Sequence, residues 1–262
     1  MTLSVLRSAL LDEIGVPHGF TTRQGGVSAG IFSSLNFGNP MELDGADRDP
    51  VASIEENFRR VLHLIGAPGR EVTQVYQIHG AAARTFRPGA PSRDTTPDGP
   101  RDFKADALVT DDTSRVVAVR VADCAPVLLA SADGRVVAAV HAGWRGVIAG
   151  VLHDSLRAMR DLGATTFTAA IGPCIGPEAF EVGPEVLEEF SRVFGPRAPI
   201  FPRPDGKGFV DLRESLRMQL ADAGVNRIDA LAFCTHADPS RFFSHRRDRG
   251  LTGRMVGLIG PR

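Results

Sequence analysis

Cysteine is scarce in this sequence. Only Cys124, Cys174 and Cys234 occur in 262 residues, and they lie far apart and never form a CxxC pair. An odd, dispersed set of cysteines does not build a disulfide framework, so it favours a reducing compartment. Lysine is rarer still, since Lys104 and Lys207 are the only two. Arginine therefore carries nearly all the positive charge, and a single arginine is weak evidence for a phosphate site.

Long apolar runs and an excess of either charge are also missing. No stretch approaches the roughly 20 apolar residues that span a bilayer. Arg7, Asp12 and Glu13 interrupt the first segment, so we do not expect a signal peptide. The formal net charge is -1, which favours neither nucleic-acid binding nor a disordered tail. We expect a cytoplasmic protein with no membrane or nucleic-acid partner.

The apolar content is sufficient for a large core. Hydrophobic residues make up 43% of the chain, and we interpret residues 1–262 as a single catalytic domain. No long apolar helix face stands out, so a monomer is expected. The segment 87–103 is rich in proline, glycine and aspartate. A loop of this length either covers an active site or is a solvated excursion.

Hydrophobic periodicity predicts both helices and buried strands, which together indicate α/β layers with sheet on the inside. Alternation in the first predicted strand places Gln77 and His79 on one face. The predicted helices are 51–65, 147–160, 184–194 and 211–223, and the predicted strands are 71–79, 115–121, 126–130 and 135–140.

One predicted hairpin brings a cysteine and a histidine together. Asp133-Gly134 is a turn signal between two apolar strands. With a two-residue turn, Pro126 lies opposite His141 and Cys124 is one diagonal step away. With a four-residue loop, Cys124 faces His141 directly. Either arrangement puts the thiol and the imidazole on one face, within about 5–8 Å.

His79 ends another predicted strand and could supply a third ligand. Two histidines and a cysteine with a fourth position left open is a catalytic zinc arrangement, in which bound water becomes a nucleophile. Asp123 could orient a ligand histidine or move a proton, and Gln77 could do likewise. The alternative is that Cys124 is a small buried hydrophobe.

A series of segments makes the chain recognisable. It resembles the family called YfiH-like, laccase-domain or multicopper polyphenol oxidoreductase, and peptidoglycan editing factor. The resemblance runs from about Phe20 to Met255, and HAGWRG with an upstream ADC is its most specific part. The segments, in order, are TTRQGGVSAGIFSSLNFG (21–38), QIHG (77–80), ADALVT (105–110), ADCAPVLL (122–129), HAGWRG (141–146), IGPCIGP (171–177), CT (234–235), FFSHRRD (242–248) and TGRM (252–255).

The resemblance implies a layered αββα sandwich with mixed sheets, similar to the catalytic domain of cytotoxic necrotizing factor. It implies purine nucleosides and phosphate as substrates, with phosphorolysis of adenosine, inosine, guanosine and methylthioadenosine and some adenosine deamination. It carries the metal ligands to His79, Cys124 and His141, which would hold Zn²⁺ or Cu²⁺. Two departures are Phe58 after Asn57 and His245 in FSHRRD, where the family often has arginine and tyrosine.

Arg145, Arg23, Asn36 and Arg246 are candidates for substrate contacts, and so is Gln77. Arg145 follows His141 at a predicted helix start, which suits an anion, although it could be a structural ion pair. Arg23, in a glycine-rich turn, is a second phosphate candidate. Asn36 could bond the nucleoside or simply form a turn, and Arg246 could line the pocket or the surface.

These observations lead to one mechanism and three rivals. Phosphate attacks the ribose C1′, the base leaves after protonation with Asp123 as the acid, and His141, Cys124 and Arg145 complete the catalytic set. Copper oxidation of phenols is the first rival, but the chain has only seven histidines and no HxH pair. The second is a metal-free Cys-His hydrolase acting on cell-wall precursors. The third is a nucleoside-binding protein without turnover.

Overall fold

A computed structural model describes residues 2–90 and 103–262, so most of the loop predicted at 87–103 lies outside the described residues. Six helices are described: α1 (Ala9–Ile14), α2 (Val51–Leu64), α3 (Trp144–Ala149), α4 (Val151–Asp161), α5 (Pro184–Phe194) and α6 (Leu212–Asp222). The strands are β1 (Val5–Leu6), β2 (His18–Thr21), β3 (Glu71–Thr73), β4 (Ala83–Phe86), β5 (Ala107–Thr110), β6 (Arg115–Val121), β7 (Ala125–Ser131), β8 (Val137–Ala142), β9 (Phe167–Ile171), β10 (Glu181–Val182), β11 (Ile200–Pro202), β12 (Gly208–Val210), β13 (Arg227–Ala230) and β14 (Met255–Ile259).

The strands form two large mixed sheets and one small one. The first has the order β1-β2-β14-β6-β3, and the second has the order β13-β9-β7-β8-β5-β4. Parallel pairing occurs between β3 and β6, β4 and β5, and β9 and β13. The small sheet, β10-β12-β11, is antiparallel.

Alternation along β6 explains how the layers stack. Val117 and Val119 belong to a core cluster that includes Leu128 of the six-stranded sheet, so this face lies between the two sheets. Val116 and Ala118 point the other way and join a cluster with α2. Because side chains of a strand alternate between its faces, one strand contributes to both layers.

Four of the remaining helices cover the other sheet. The outer face of the six-stranded sheet packs against α3, α4, α5 and α6 in the largest core cluster. The order is therefore helix, sheet, sheet, helices, and the predicted αββα sandwich with mixed sheets is confirmed. Each helix within the described residues is too short or too polar to cross a membrane.

Two predicted elements are wrong in part. The strand predicted over 71–79 ends at Thr73, because the N–H groups near its predicted end bond a carboxylate instead of a neighbouring strand. The helix predicted over 147–160 is two helices, α3 and α4, and it begins earlier, at Trp144. They are separated by Gly150, whose φ of 85° lies in the left-handed region that glycine adopts readily.

The hairpin that was predicted to carry Cys124 and His141 is present. Pro126 pairs with His141 on β8, the register predicted for a two-residue turn. The loop itself is longer, since Ser131 N–H donates to the Val136 carbonyl oxygen at 2.8 Å. The register places the residues of ADC at the mouth of the hairpin, next to the end of β6.

Candidate metal centre

Three side chains from three separate segments converge at one end of the sheets. His141 lies on β8, Cys124 directly precedes β7, and His79 lies in the loop that follows β3. One nitrogen of each imidazole and the thiol sulfur all lie within 4.8 Å of one another. The two imidazole centroids are 4.9 Å apart with an interplanar angle of 77°. Bonds of about 2.0–2.3 Å to zinc would require only small shifts from this arrangement.

Asp106 holds two of these residues in place. Its Oδ1 accepts a hydrogen bond from His141 Nδ1 at 2.8 Å, which leaves Nε2 as the free ligand nitrogen. The same carboxylate accepts the backbone N–H groups of Ile78, His79 and Gly80 at 3.3, 2.9 and 2.6 Å. His79 has a φ of 59°, uncommon for a residue with a Cβ. The three N–H donors stabilise that turn and aim His79 at Cys124.

Gly143 is required by space at this centre. A Cβ at that position would lie 3.0 Å from the Cys124 sulfur and 3.1 Å from His79 Cδ2. Both distances are too short for comfortable van der Waals contact. The glycine of the HAGW segment therefore leaves room for the cysteine and the first histidine to meet.

Cys124, His141 and Asp106 have shifted pKa values at this centre. Burial by itself would raise the pKa of Cys124, but the charge and hydrogen bond of His141, aided by His79, lower it to about 6. Burial would likewise lower the pKa of His141, but Cys124 and Asp106 raise it to about 9. The pKa of Asp106 is lowered because His141 and backbone donors outweigh its burial. The arrangement favours a thiolate at neutral pH, which is the form that binds metal.

The ligands open into a large cavity. Its volume is about 630 Å³, and its wall includes His79, Cys124 and His141. Apolar side chains line part of the wall, among them Ile175, Phe180 and Leu212. Four arginines also line it, at positions 48, 120, 246 and 254. The cavity thus combines one potential metal centre, an apolar wall and several cations.

Asp123 lies in the cavity wall but does not orient a ligand histidine. Its Oδ1 accepts from Thr235 Oγ1 and its Oδ2 accepts the Arg246 N–H at 2.8 Å. Asp106 performs the orienting task, so that part of the prediction for Asp123 is wrong. Gln77 does not orient a ligand either, because its amide is bonded at both ends to the backbone of Arg120, at 2.8 Å each.

The other predicted contacts divide into those at the cavity and those away from it. Arg246 lines the cavity, with its guanidinium held by the carbonyl oxygens of Ala179 and Glu181. Arg145 is exposed and stacks 4.4 Å above the Trp144 ring, outside the cavity wall. Arg145 lies on the exposed side of α3, so its side chain does not reach the cavity wall.

Arg23 and Asn36 also lie outside the cavity wall. Arg23 bonds the carbonyl oxygens of Ser33 and Pro239. Asn36 is fully buried, donates to Asp49 at 2.8 Å, and accepts the N–H groups of Gly38 and Arg254. This geometry does not support their predicted contacts with substrate, because the polar atoms of both side chains are hydrogen-bonded within the loops.

Sequence reasoning missed three residues: Asp106, which holds two of the potential ligands, and Arg120 and Arg254, which line the cavity. Asp106 belongs to ADALVT and Arg254 to TGRM, so both stood in recognised segments without an assigned role. A polar residue between two apolar ones at a strand start was the available signal for Asp106. Nothing in the local pattern marked Arg120, because arginine is abundant throughout this chain.

The family model described as multi-copper polyphenol oxidoreductase laccase matches residues 17–262. The chain belongs to this family. A Deinococcus radiodurans protein named purine nucleoside phosphorylase is 36% identical over 263 residues, covering 99% of this chain and 95% of that protein. The Escherichia coli K12 protein named purine nucleoside phosphorylase YfiH is 37% identical over 247 residues, covering 94% and 93%.

A solved structure in this family has the same fold. The crystal structure of a Neisseria meningitidis protein is 32% identical and superposes with a TM-score of 0.79, covering 100% of this chain and 99% of that one. The family resemblance inferred from the sequence is confirmed. The αββα arrangement is therefore shared with a family member over the full length.

The family's copper description and the relatives' phosphorylase names point to different chemistry. Within residues 2–90 and 103–262, one group of three potential ligands is close enough to share an ion. A multicopper cluster would need several further histidines near it. The other histidines of this family member lie outside the group, at positions 18, 63, 153, 236 and 245.

Proposed function

We propose that this chain is a purine nucleoside phosphorylase that converts adenosine, inosine, guanosine and methylthioadenosine to free base and the sugar 1-phosphate. The carrying observation is a group of three potential metal ligands in the wall of a cavity of about 630 Å³. That volume is within the range of small-molecule sites. Relatives named purine nucleoside phosphorylase, matched over nearly their full length, support the proposal. We propose one catalytic unit, monomeric and cytoplasmic.

The residues fit one zinc ion. His79, Cys124 and His141 would hold it, since two imidazoles and a thiolate leave a fourth position free for chemistry. Asp106 would fix the tautomer of His141, as carboxylates beside zinc-bound histidines do. Zinc, when bound, supplies a Lewis acid beside the substrate. Cu²⁺ also accepts imidazole ligands, and we assign zinc because the donor set matches its catalytic sites.

The protein's own groups then have defined tasks in phosphorolysis. A phosphate oxygen attacks C1′ and the bond between C1′ and the purine nitrogen breaks. The bonding electrons leave with the base, which takes up a proton. Asp123, in the wall beside Cys124, is the group that we assign to that proton transfer. The backbone N–H of Arg246 donates to the Asp123 carboxylate and holds it in position.

We also propose adenosine deamination as a side activity of the same cavity. Water replaces the amino group at C6, giving inosine and ammonia, and we assign the exchange of the protons involved to Asp123. The cavity is large enough for a nucleoside to bind with either its ribose or its base toward Cys124. Two binding orientations would account for two reactions at one centre.

Product analysis tests the proposal. Zinc-loaded protein is given adenosine with and without phosphate, and the products are identified by mass spectrometry. Adenine and ribose 1-phosphate that form only with phosphate would support phosphorolysis, and inosine without phosphate would support deamination. His79→Ala should lose both products. His153→Ala is the matched control, because His153 is an exposed histidine on α4 outside the metal centre. No product from any purine nucleoside would overturn the proposal.

One observation favours a second candidate, a metal-independent Cys-His hydrolase. Cys124, His141 and Asp106 have the order of a nucleophile, a base and an orienting carboxylate. Such an enzyme would act on amide bonds, including those of cell-wall precursors. Chelation separates the candidates, since a hydrolase would keep its activity after metal removal while the phosphorylase would lose it.

A further inference from the structure

Two arginines that no prediction had selected lie at the end of the five-stranded sheet. Arg120 is on β6, and Arg254 directly precedes β14. These strands are antiparallel neighbours, with Val256 paired to Arg120. Both arginines line the cavity. Adjacent strands therefore present two guanidinium groups to the same space.

Gly38 lies against both side chains. A Cβ there would lie 3.1 Å from Arg120 Cδ and 3.5 Å from Arg254 Cγ. The loop that carries Gly38 is held by Asn36, whose Oδ1 accepts the N–H groups of both Gly38 and Arg254. Asn36 is in turn bonded to the buried carboxylate of Asp49. A buried polar network therefore fixes the backbone on both sides of the arginine pair.

The Arg254 guanidinium is half-buried, and its hydrogen bonds and the nearby negative charges only partly offset the cost of burying it. It donates to the carbonyl oxygens of Thr252 and Gly253 at 2.7 and 3.1 Å. Within the described ranges no carboxylate lies within salt-bridge distance of it, although Glu42 also lines the cavity. Burial lowers the pKa of Arg254, and the charges of Glu42, Cys124 and Asp123 only partly offset this. A buried cation that faces a cavity is stabilised by an anion bound there.

The arginine pair and the potential metal ligands are carried by different strands and loops. His141 lies on β8 of the six-stranded sheet and Cys124 directly precedes β7, whereas Arg120 lies on β6 of the five-stranded sheet and Arg254 directly precedes β14. Residues 122–124 connect β6 to β7 and so pass from one sheet to the other. The cavity lies at this junction, and its wall includes the three potential metal ligands and both arginines. A nucleoside bound between them would have different groups on its two sides.

We propose that Arg120 and Arg254 form the phosphate subsite of the cavity, with Gly38 giving their side chains room. This assignment rests on the proposed phosphorylase function and deepens it, because it places the attacking phosphate on the five-stranded-sheet side. Paired guanidinium groups suit the oxygens of a phosphate dianion. It also separates the two substrates physically, with the nucleoside between the phosphate and the metal ligands.

Binding of inorganic phosphate measures the subsite without turnover. Calorimetric titration of the zinc-loaded and the chelated protein should give saturable binding in both forms. Arg254→Gln and Arg120→Gln should each weaken it by about tenfold or more, as expected for loss of a charged partner. Arg157→Gln is the matched control, because Arg157 is exposed on α4 and paired with Asp154. Unchanged phosphate affinity in both cavity variants would overturn the proposal.

Three further measurements sharpen the test. Arg254→Lys retains the charge without the fork and should lie between the wild type and Arg254→Gln, so it covers the case in which the glutamine variant fails to fold. Adenosine 5′-monophosphate in place of phosphate distinguishes a site for free phosphate from one for a nucleotide phosphate; tighter binding of the nucleotide through Arg254 would overturn the assignment. In steady state, Arg254→Gln should raise KM for phosphate and leave KM for adenosine within about twofold.

The outcomes separate this proposal from the proposed function. If the wild type binds phosphate through Arg254 but cleaves no nucleoside, the subsite is retained and the phosphorylase proposal fails. If the wild type cleaves nucleosides and Arg254→Gln has a normal KM for phosphate, the function is retained and this subsite assignment fails.

Discussion

Two cysteines at the same end of the six-stranded sheet have opposite chemistry. Cys124 precedes β7 and Cys174 follows β9, and these two strands are hydrogen-bonded neighbours. The pKa of Cys124 is lowered to about 6, whereas burial raises the pKa of Cys174 to about 12. Two imidazoles face the first sulfur. The second has one arginine, Arg213, at 3.8 Å and nearby acidic groups that oppose it.

The difference shows that burial alone does not decide whether a thiol is reactive. Burial favours the neutral form of both thiols, although Cys174 is fully buried and Cys124 is partly exposed in the cavity wall. Only at Cys124 do nearby partial and full positive charges overcome that cost. A cysteine that can bind a metal is thus recognised by its neighbours rather than by its exposure.

Thiol reactivity should give the largest contrast. In chelated protein at pH 7, most of Cys124 would be thiolate, against on the order of one part in 10⁵ for Cys174. Iodoacetamide should therefore alkylate Cys124, with a rate that rises as pH increases through about 6. Peptide mapping by mass spectrometry identifies the modified residue. Equal labelling of the two cysteines in the folded protein would contradict the comparison.

Substitution of each cysteine with alanine should also have different consequences at the two positions. Cys124→Ala is expected to lose stoichiometric zinc and at least about 10³-fold in phosphorolysis, because one of three ligands is gone. Cys174→Ala should retain zinc, and removing its buried sulfur should only lower the free energy of unfolding by about 1 kcal/mol. Zinc content by elemental analysis and urea unfolding measure the two effects. Retained stoichiometric zinc in Cys124→Ala would rule out the proposed ligand set.

Asp106 is part of the surroundings of Cys124, where it is bonded to His141. Its removal should have an effect on zinc affinity of intermediate size. Asp106→Asn keeps the shape but weakens the bonds to His141 and to the turn around His79, so zinc affinity should fall by about 10–100-fold. Competition with a chromophoric chelator measures that affinity. Asp123→Asn is the comparison variant, and it should change turnover while leaving zinc affinity within about threefold. The reverse pattern would exchange the roles of the two aspartates.

The smallest expected effect concerns the pH dependence of stability and compares two histidines. His141 has a raised pKa, whereas burial lowers the pKa of His18 below its ordinary 6.5. His18 Nε2 accepts the Ser8 N–H at 3.0 Å, and Arg7 and Asp12 are the nearby charges. The unfolded chain takes up this proton at higher pH than the folded one. Stability should therefore fall as pH drops below about 6.5, by at most about 1.4 kcal/mol per unit.

Urea unfolding at pH 7.5 and 5.5 measures this dependence. His18→Gln should reduce the difference between the two pH values relative to wild type, and His153→Gln, on the exposed face of α4, should leave it unchanged. An identical pH dependence in wild type and His18→Gln would show that this histidine contributes nothing to it.

Several elements were predictable because their causes are local. The helix predicted over 184–194 matches α5 residue for residue, and the strand predicted over 115–121 matches β6. An apolar stripe and Pro184 at its first turn are sufficient to indicate the first. A β-branched run is sufficient for the second. The register between Pro126 and His141 followed from one Asp-Gly turn.

Other features depend on contacts between distant segments. The strand predicted over 71–79 was wrong after Thr73, because Asp106, 27 residues beyond His79, accepts the N–H groups that a strand would have used. Arg23 and Asn36 had suitable local sequence for ligand contacts. Their polar atoms are used by segments as remote as Pro239 and Arg254. No pattern within one segment reveals such partners.

The sequence by itself determined the layers, the family and the three residues proposed as metal ligands, because periodicity and short motifs are properties of neighbouring residues. The tertiary structure alone decided which groups surround them. Asp106 became the partner of His141, Gly143 left space for Cys124, and Arg120 and Arg254 met across two strands. The physical reason is that hydrogen bonds and charges act over a few ångströms in space, and folding brings together groups that are separated by as many as 218 residues along the chain.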